Sequence, residues 1–172
     1  MNRFVFQSLL LLMSGTLACT LLSAQANKYA GSMKKIVGVK YTDSRNITGL
    51  RGWQFREGTL ATVLDDPQPI MVEVYKKGST YIVFFSVMED TASKEYVIAD
   101  LVELKNVTKN QEVKTAVCRA YKQGNAFIVA LTNTGRTHYF KAIKAWLFDR
   151  DRIRFEMINA KTVECLNEGD DD

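Results

Sequence analysis

Residues 70–104 contain three apolar runs at short spacing, separated by polar residues. Residues 70–75 alternate apolar and polar side chains, which is typical of a strand with one buried face. Residues 81–88 form a continuous aromatic and β-branched run, as expected for a fully buried strand. A third run covers residues 96–104, and Gly78 lies in a polar turn where a positive φ costs little. The pattern predicts consecutive strands joined by short turns.

Further strands are predicted towards the end of the chain. Residues 114–121 and 126–131 flank Gln123-Gly124-Asn125, a combination typical of a hairpin. Residues 139–147 have the one credible helical spacing in the chain, although they also fit the first strand of a hairpin. Residues 153–157 alternate apolar and charged side chains, which again indicates a strand.

The expected fold is therefore mainly β. Seven or eight short strands predict a single-domain antiparallel meander, arranged as a twisted sheet, a sandwich or a partial barrel. At most one or two short helices are expected. A composition with 47% hydrophobic and 24% charged residues argues against a disordered chain.

The first 26 residues have the pattern of a cleaved secretory signal peptide. A single cation, Arg3, precedes an apolar run, and Ala24-Gln25-Ala26 supplies the small residues that a signal peptidase requires. Cleavage after Ala26 predicts a periplasmic or secreted protein of 146 residues. Cys19 offers an alternative, because it lies where a bacterial lipoprotein would be lipidated. The protein is expected to associate with a membrane only if Cys19 is lipidated.

Two cysteines, Cys118 and Cys165, remain after the signal peptide is removed. An oxidising compartment makes a disulfide between them the expected state. Neither cysteine is part of a C-x-x-C motif or lies beside a histidine, which argues against a redox or nucleophilic thiol. The sequence therefore predicts one structural disulfide that joins a late strand to the strand carrying Cys118.

Charge divides the mature chain into three predicted parts: a basic stretch over residues 27–56, a β-rich domain over residues 57–167 and an acidic tail over residues 168–172. The basic stretch has seven cations and one acid, a net charge of +6. Residues 57–172 have 15 cations and 18 acids, a net charge of −3. The positive charge of the protein is thus concentrated in the first thirty mature residues.

Aromatic residues alternate with the cations of the basic stretch, which is typical of surfaces that bind anionic polymers by charge and stacking. The candidate ligand-binding residues are Lys34, Lys35, Lys40, Arg51, Trp53 and Arg56. In an exported protein the available polyanions are lipid headgroups, cell-wall polymers and glycans, so nucleic acid is not the expected partner. The alternative interpretation is a solvated surface with the tryptophan in the core.

Residues with catalytic chemistry are few. Asp65 and Asp66 could supply paired carboxylates for glycosidic cleavage, but the following Pro67 favours a turn. His138 is the only histidine and ends a polar loop, a position more typical of a solvated side chain than of a general base. The spacings that bind zinc or nucleotide phosphates are missing, so no metal ligand and no cofactor are predicted.

The sequence thus predicts an exported, non-enzymatic binding module whose partner is an envelope component or a protein target. Two alternatives stay open. One is a hydrolase that uses Asp65 and Asp66 or His138. The other is a structural subunit that adds an exposed strand edge to an envelope assembly.

Overall fold

The computed structural model describes residues 33–61, 69–90, 92–124 and 127–167. Within these residues, twelve strands form two antiparallel sheets, which confirms the mainly β fold. The strands are β1 (Lys40–Tyr41), β2 (Gln54–Ala61), β3 (Ile70–Lys77), β4 (Thr80–Asp90), β5 (Glu95–Leu104), β6 (Gln111–Thr115), β7 (Cys118–Ala120), β8 (Gln123–Gly124), β9 (Ile128–Asn133), β10 (Tyr139–Asp149), β11 (Arg154–Ile158) and β12 (Val163–Leu166). The helical elements of the described residues are the short 3-10 turns Met33–Ile36, Ser44–Asn46, Thr48–Leu50 and Ala160–Thr162.

The first sheet has the strand order β1-β5-β4-β3-β2. The three runs predicted between residues 70 and 104 are confirmed as β3, β4 and β5, which pair antiparallel in succession. Lys77 pairs with Thr80 across the predicted turn, in which Gly78 has a φ of 59°. The local pattern therefore determines the centre of this sheet.

Between β1 and β2 the chain crosses one face of the first sheet, because these two strands lie at its opposite edges. This crossing segment, residues 42–53, contains two 3-10 turns and buries Ser44, Ile47 and Leu50. Before this segment, β1 is limited to the two residues Lys40 and Tyr41. Gly38, with a φ of 84°, interrupts the extended chain before β1.

The second sheet is organised around β10. β9 pairs with residues 142–147 of β10, while β12 and β11 pair with residues 139–141 and 145–149. The register shifts at Ile143, which marks a β-bulge. A bulge changes which side chains share a face of the strand. Residues 139–147 are thus part of a strand and not of a helix. The bulge explains why their apolar side chains follow helical spacing.

The hairpin predicted after residue 114 is confirmed only in part. β6 and β9 pair antiparallel as expected, but the first arm ends before Ala116, which has a φ of 60°. The chain then reverses at Tyr121 and Lys122, which have φ values of 50° and 66°, rather than around Gly124. Positive φ at both central residues is the geometry of a two-residue hairpin turn. The turn therefore lies at two residues other than the predicted glycine, next to the pairing of β7 with β12.

The two sheets pack face to face around one apolar core. Its buried members from the first sheet include Ile70, Val72, Val74, Val83, Phe85, Val102 and Leu104, and those from the second half of the chain include Val113, Phe127, Val129, Leu131 and Phe148. Phe85 stacks on Phe148 across the interface, with ring centroids 4.6 Å apart. Beside this stack, the buried carboxylate of Asp100 on β5 accepts a hydrogen bond from the Phe155 backbone N–H of β11. The architecture is a β-sandwich joined by apolar packing and by this polar contact.

Cys118 and Cys165 form a disulfide, as predicted. The two residues lie directly opposite each other on β7 and β12. Both are buried in a second, smaller cluster with Ile128, Ala145 and Val163. The disulfide thus joins β12, the last strand of the described residues, to β7, as the sequence suggested.

β2 forms one edge of the first sheet. Among the described strands it pairs only with β3, and seven of its eight residues are exposed. An exposed edge of this kind is what the structural-subunit alternative requires. That alternative stays a prediction.

Several predictions concern residues outside the described ranges. They are the signal peptide over residues 1–26, the acid pair Asp65 and Asp66, and the acidic tail over residues 168–172. In the part of the chain that is described, no helix has the length and apolar character needed to span a bilayer. The predicted boundary between the basic stretch and the β-rich domain, after residue 56, falls inside β2. The basic stretch therefore contributes β1 and part of β2 to the first sheet.

Candidate functional site

The carboxyl group of Glu73 is buried on the face of the first sheet that the crossing segment covers. Glu73 belongs to β3, whose Val72 and Val74 face the core between the sheets. Because successive side chains of a strand point to opposite faces, Glu73 points away from that core. Only 6% of its surface is exposed. The hydroxyl of Tyr41 donates a hydrogen bond to Oε2 of Glu73, and the hydroxyl of Ser44 donates to Oε1.

Further hydroxyl groups extend this arrangement into a network. The Tyr75 hydroxyl lies 2.7 Å from Ser44 Oγ, and it acts as the donor because Ser44 gives its own proton to Glu73. Ser86, fully buried on β4, lies close enough to the Tyr41 hydroxyl to influence its pKa. Even so, Ser86 Oγ has no hydrogen-bond partner at normal distance among the described residues. These five residues are termed the acid–hydroxyl cluster.

Local structure holds Tyr41 and Ser44 against β3. Tyr41 pairs with Tyr96 of β5 in the β1–β5 ladder, and their rings stack with centroids 5.9 Å apart. Ser44 begins the 3-10 turn Ser44–Asn46, and the preceding Asp43 caps this turn by accepting a hydrogen bond from the Arg45 backbone N–H. A short strand and a capped turn therefore position the two donors.

Burial dominates the electrostatics of the cluster. Desolvation raises the pKa of Glu73 above its usual value, and the hydrogen bonds from Ser44 and Tyr41 oppose this effect only in part. Desolvation likewise raises the pKa of the Tyr41 and Tyr75 hydroxyls, and the nearby charge of Glu73 adds to both increases. No described lysine or arginine forms a salt bridge with Glu73, whose hydrogen-bond donors among the described residues are the hydroxyl groups of Tyr41 and Ser44. The cluster thus contains a buried acid whose charge no cation of the described residues balances.

An open cleft of about 450 Å³ lies over the cluster. It is lined by residues 41–45, Phe55, Met71, Glu73 and Tyr96. We term it the Glu73 cleft. Its volume lies within the range of small-molecule binding sites.

The two charged residues at the rim of the cleft neutralise each other. Arg45 Nε lies 2.9 Å from Asp43 Oδ1, and Arg45 Nη2 lies 2.8 Å from Asp43 Oδ2. These hydrogen bonds from Arg45 lower the pKa of Asp43. Arg45 and Asp43 bind each other through two hydrogen bonds, and their opposite charges cancel. The net charge of the described lining therefore depends on whether Glu73 is ionised.

Phe55 forms an apolar wall of the cleft because Gly58 leaves room for its ring. A Cβ atom at position 58 would lie 3.1 Å from Phe55 Cζ and 3.6 Å from Glu73 Cγ. The Phe55 ring also meets the Tyr75 ring edge-on, with centroids 5.4 Å apart. The glycine therefore allows an aromatic side chain to lie beside the buried acid.

We expect Glu73→Gln to gain stability relative to the wild type as the pH rises. The raised pKa means that folded Glu73 retains a proton that the unfolded chain releases. Its contribution to stability is complete below about pH 4.5 and is lost as the pH rises through the raised pKa. Glutamine has a similar size and does not ionise. Urea unfolding at several pH values from about 4 to 8 measures the difference in free energy of unfolding.

The other titratable groups that influence or adjoin Glu73 are Tyr41, Asp43, Tyr75 and Tyr96. The tyrosines have raised pKa values and the pKa of Asp43 is lowered, so none of these groups changes charge between about pH 5 and 8. Glu112→Gln on β6, in the other sheet, is the matched control. A difference between Glu73→Gln and the wild type that is the same at every pH would contradict the prediction.

The candidate ligand-binding residues of the basic stretch are distributed over several elements. Lys40 lies on β1 and Arg56 on β2, at opposite edges of the first sheet. Four strand spacings separate these edges, a distance of about 19 Å. Lys40 forms an exposed salt bridge with Glu89, at the end of β4. The structure does not bring Lys40 and Arg56 together into one site.

The remaining candidates of this set lie outside regular strands. Lys34 and Lys35 belong to the 3-10 turn Met33–Ile36. Arg51 is exposed after the turn Thr48–Leu50, and Trp53 is half-buried. Neither Arg51 nor Trp53 lines the Glu73 cleft. Binding of an anionic polymer by these residues stays a prediction.

The candidate catalytic residues remain untested. His138 is exposed in the loop before β10, where its ring meets the Tyr139 ring edge-on with centroids 4.8 Å apart. Asp65 and Asp66 lie outside the described residues. The hydrolase alternative therefore stays a prediction.

Sequence reasoning missed Tyr41, Ser44 and Glu73. In the alternating run over residues 70–75, Glu73 is the charged member, and this pattern normally indicates a solvent-exposed side chain. The crossing segment instead covers that face of the sheet. The one signal in the sequence was a glutamate within an unusually apolar strand.

The acid–hydroxyl cluster can bind a positively charged group and can form hydrogen bonds with it. An acid with a raised pKa also has the property that a general acid needs. However, the other carboxylate at the cleft, Asp43, is already bound to Arg45. The described residues contain no group of three or more histidine, cysteine or acidic side chains placed to bind a metal.

The chain matches no protein-family model, no curated protein and no solved structure at a significant level. Its function is therefore inferred from the chemistry of its own site.

Proposed function

We propose that the protein is an exported binding module that holds its ligand in the Glu73 cleft. The observation that carries this proposal is a buried carboxyl group, without a cationic partner among the described residues, beneath an open cleft of about 450 Å³. Concave sites with aromatic walls and a few convergent polar groups are the usual form of ligand-binding sites. A perturbed acid in such a cleft supports a functional role.

The energetics of Glu73 support a role beyond packing. A buried carboxyl group costs free energy unless hydrogen bonds or an opposite charge compensate it. Tyr41 and Ser44 supply two hydrogen bonds, but desolvation still outweighs them in its effect on the pKa. An apolar side chain at this position of β3 would avoid the cost. A bound ligand gives the carboxyl group the compensation that the described residues provide only in part.

Export of the protein is supported by the signal-peptide pattern over residues 1–26 and by the disulfide between Cys118 and Cys165. In a periplasmic or extracellular setting the partner is an envelope component or another exported protein. The protein recovered from its host is expected to begin at Asn27, and intact-mass measurement identifies the N-terminus. A chain that still begins at Met1 would contradict export by this route.

The binding proposal is tested by NMR with a library of small compounds of varied charge and polarity. We expect amide shifts from bound compounds to concentrate at residues 41–45, Phe55, Glu73 and Tyr96. Thr42→Trp should block the cleft, since Thr42 is an exposed residue of its lining. It should weaken binding by about tenfold or more, on the scale of one lost anchoring contact.

Thr108→Trp is the matched control, because Thr108 is also exposed and does not line the cleft. Its affinities should equal those of the wild type. Compounds that bind only at other surfaces, or that bind Thr42→Trp as tightly as the wild type, would contradict the proposed function.

A further inference from the structure

We propose that the Glu73 cleft binds a primary ammonium group. The inference rests on the proposed function, because it names the class of ligand for the same cleft. A primary ammonium group occurs on a free alkylamine and on the side chain of a lysine in a partner protein. Both sources present one positive charge and three N–H donors at the end of an apolar chain.

Charge is the first argument. Among the described residues that line the cleft, Asp43 and Arg45 are paired with each other, so Glu73 supplies the one unbalanced charge of this set. Lys40 precedes the lining residues in sequence, but its ammonium group is bound to Glu89. A cleft whose described lining contains a buried acid and no available cation favours a cationic ligand over a neutral or anionic one.

The walls of the cleft provide the second argument. Tyr41, Phe55 and Tyr96 line it, and Met71 adds an apolar, adaptable side chain. Aromatic rings attract ammonium groups through their negative faces. The same rings pack against the methylene groups of an alkyl chain. An alkylammonium ion therefore matches both the acid and its surroundings.

The hydrogen-bonding capacity of Glu73 is the third argument. Each carboxylate oxygen can accept two hydrogen bonds, and Oε1 and Oε2 each receive one from the described residues. The Ser86 hydroxyl influences the pKa of Tyr41, and its Oγ has no hydrogen-bond partner at normal distance among the described residues. The Ser86 hydroxyl oxygen can accept a hydrogen bond from the Tyr41 hydroxyl if that hydroxyl turns away from Oε2. The cluster can thus free acceptor positions for the N–H groups of the ligand.

A proton and an ammonium group would compete for Glu73. Binding is therefore expected to strengthen as the pH rises and Glu73 ionises, since an alkylamine keeps its own proton up to about pH 10. The charged and titratable groups around this carboxyl group are Tyr41, Asp43, Arg45, Tyr75 and Tyr96. Their pKa directions keep them in one protonation state between about pH 5 and 8.

The test is an NMR titration of the protein with n-butylammonium, butan-1-ol and butyrate at pH 5 and pH 8. We expect n-butylammonium to bind in the cleft, more tightly at pH 8, and at least about tenfold more tightly than butan-1-ol. Glu73→Gln should lose about tenfold or more in affinity and should lose the pH dependence. Glu112→Gln should behave as the wild type.

A second titration with the amide of Nα-acetyl-lysine distinguishes the two sources. Tighter binding of this compound than of n-butylammonium assigns the cleft to a lysine side chain, and the reverse order assigns it to a free amine. Equal affinities for n-butylammonium and butan-1-ol, or preferred binding of butyrate, would overturn the ammonium proposal while leaving the cleft as a binding site. If no member of the wider library binds in the cleft either, the proposed function itself fails.

Discussion

Replacing Phe85 by alanine is expected to lower the free energy of unfolding by about 3–5 kcal/mol. Phe85 has no exposed surface and lies on β4, at the centre of the first sheet. Its ring stacks on Phe148 at a centroid distance of 4.6 Å and meets Phe155 edge-on at 5.0 Å. The substitution removes the apolar contact between the sheets and leaves a cavity that rigid strands on both sides cannot readily close.

Urea unfolding of Phe85→Ala, compared with that of Phe55→Ala, measures this effect. Phe55 belongs to the same sheet but is 46% exposed, so its replacement should cost about 1 kcal/mol or less. The two variants remove the same atoms. The difference between their free energies of unfolding therefore measures the effect of burying the ring. Equal losses for the two variants would contradict a sandwich core centred on Phe85.

Removal of the disulfide is expected to cost about 4 kcal/mol, on the basis of the entropy of the closed loop. The sequence separation between Cys118 and Cys165 is 47 residues, so the reduced unfolded chain gains considerable freedom. The effect should also be local, because the bridge joins β12 to β7 at directly opposed positions. In the double variant Cys118→Ala, Cys165→Ala, we expect β7, β8 and β12 to lose protection before the rest of the second sheet.

Chemical unfolding of the double variant and of the wild type, with and without a reductant, measures the loss in free energy of unfolding. The reduced wild type is the matched control, since it keeps both sulfur atoms and loses only the bond. Hydrogen exchange of the amides of β7 and β12 measures the local loss of protection. Two free thiols in protein isolated from its host, or a loss of stability below about 1 kcal/mol, would contradict the structural role of the disulfide.

The core of the first sheet was predictable from sequence because its signals are local. β3, β4 and β5 each carry their own apolar pattern, and the turn at Gly78 joins β3 to β4 without help from distant residues. In β10 the sequence pattern left helix and strand open, because the register shift at Ile143 interrupts the alternation of apolar side chains. A single inserted residue is enough to make a strand resemble a helix in its spacing.

The candidate site was not predictable, because its members come from several separate elements. Tyr41 belongs to β1, Ser44 to a 3-10 turn and Glu73 to β3, and each is unremarkable in its own segment. The basic residues of the same region are conspicuous in the sequence because of their number. Their charges are partly balanced in the folded protein, as the salt bridge between Lys40 and Glu89 shows.

By itself, the sequence determined the class of fold, the central strands and the pairing of Cys118 with Cys165. These properties follow from alternation along the chain and from the number of cysteines left to pair. Only the tertiary structure decided that the acid of β3 would be buried and that a cleft would open above it. The burial of Glu73 depends on which segment crosses its face of the sheet. The alternation of side chains along a strand shows that one face is polar, but it does not show which segment covers that face.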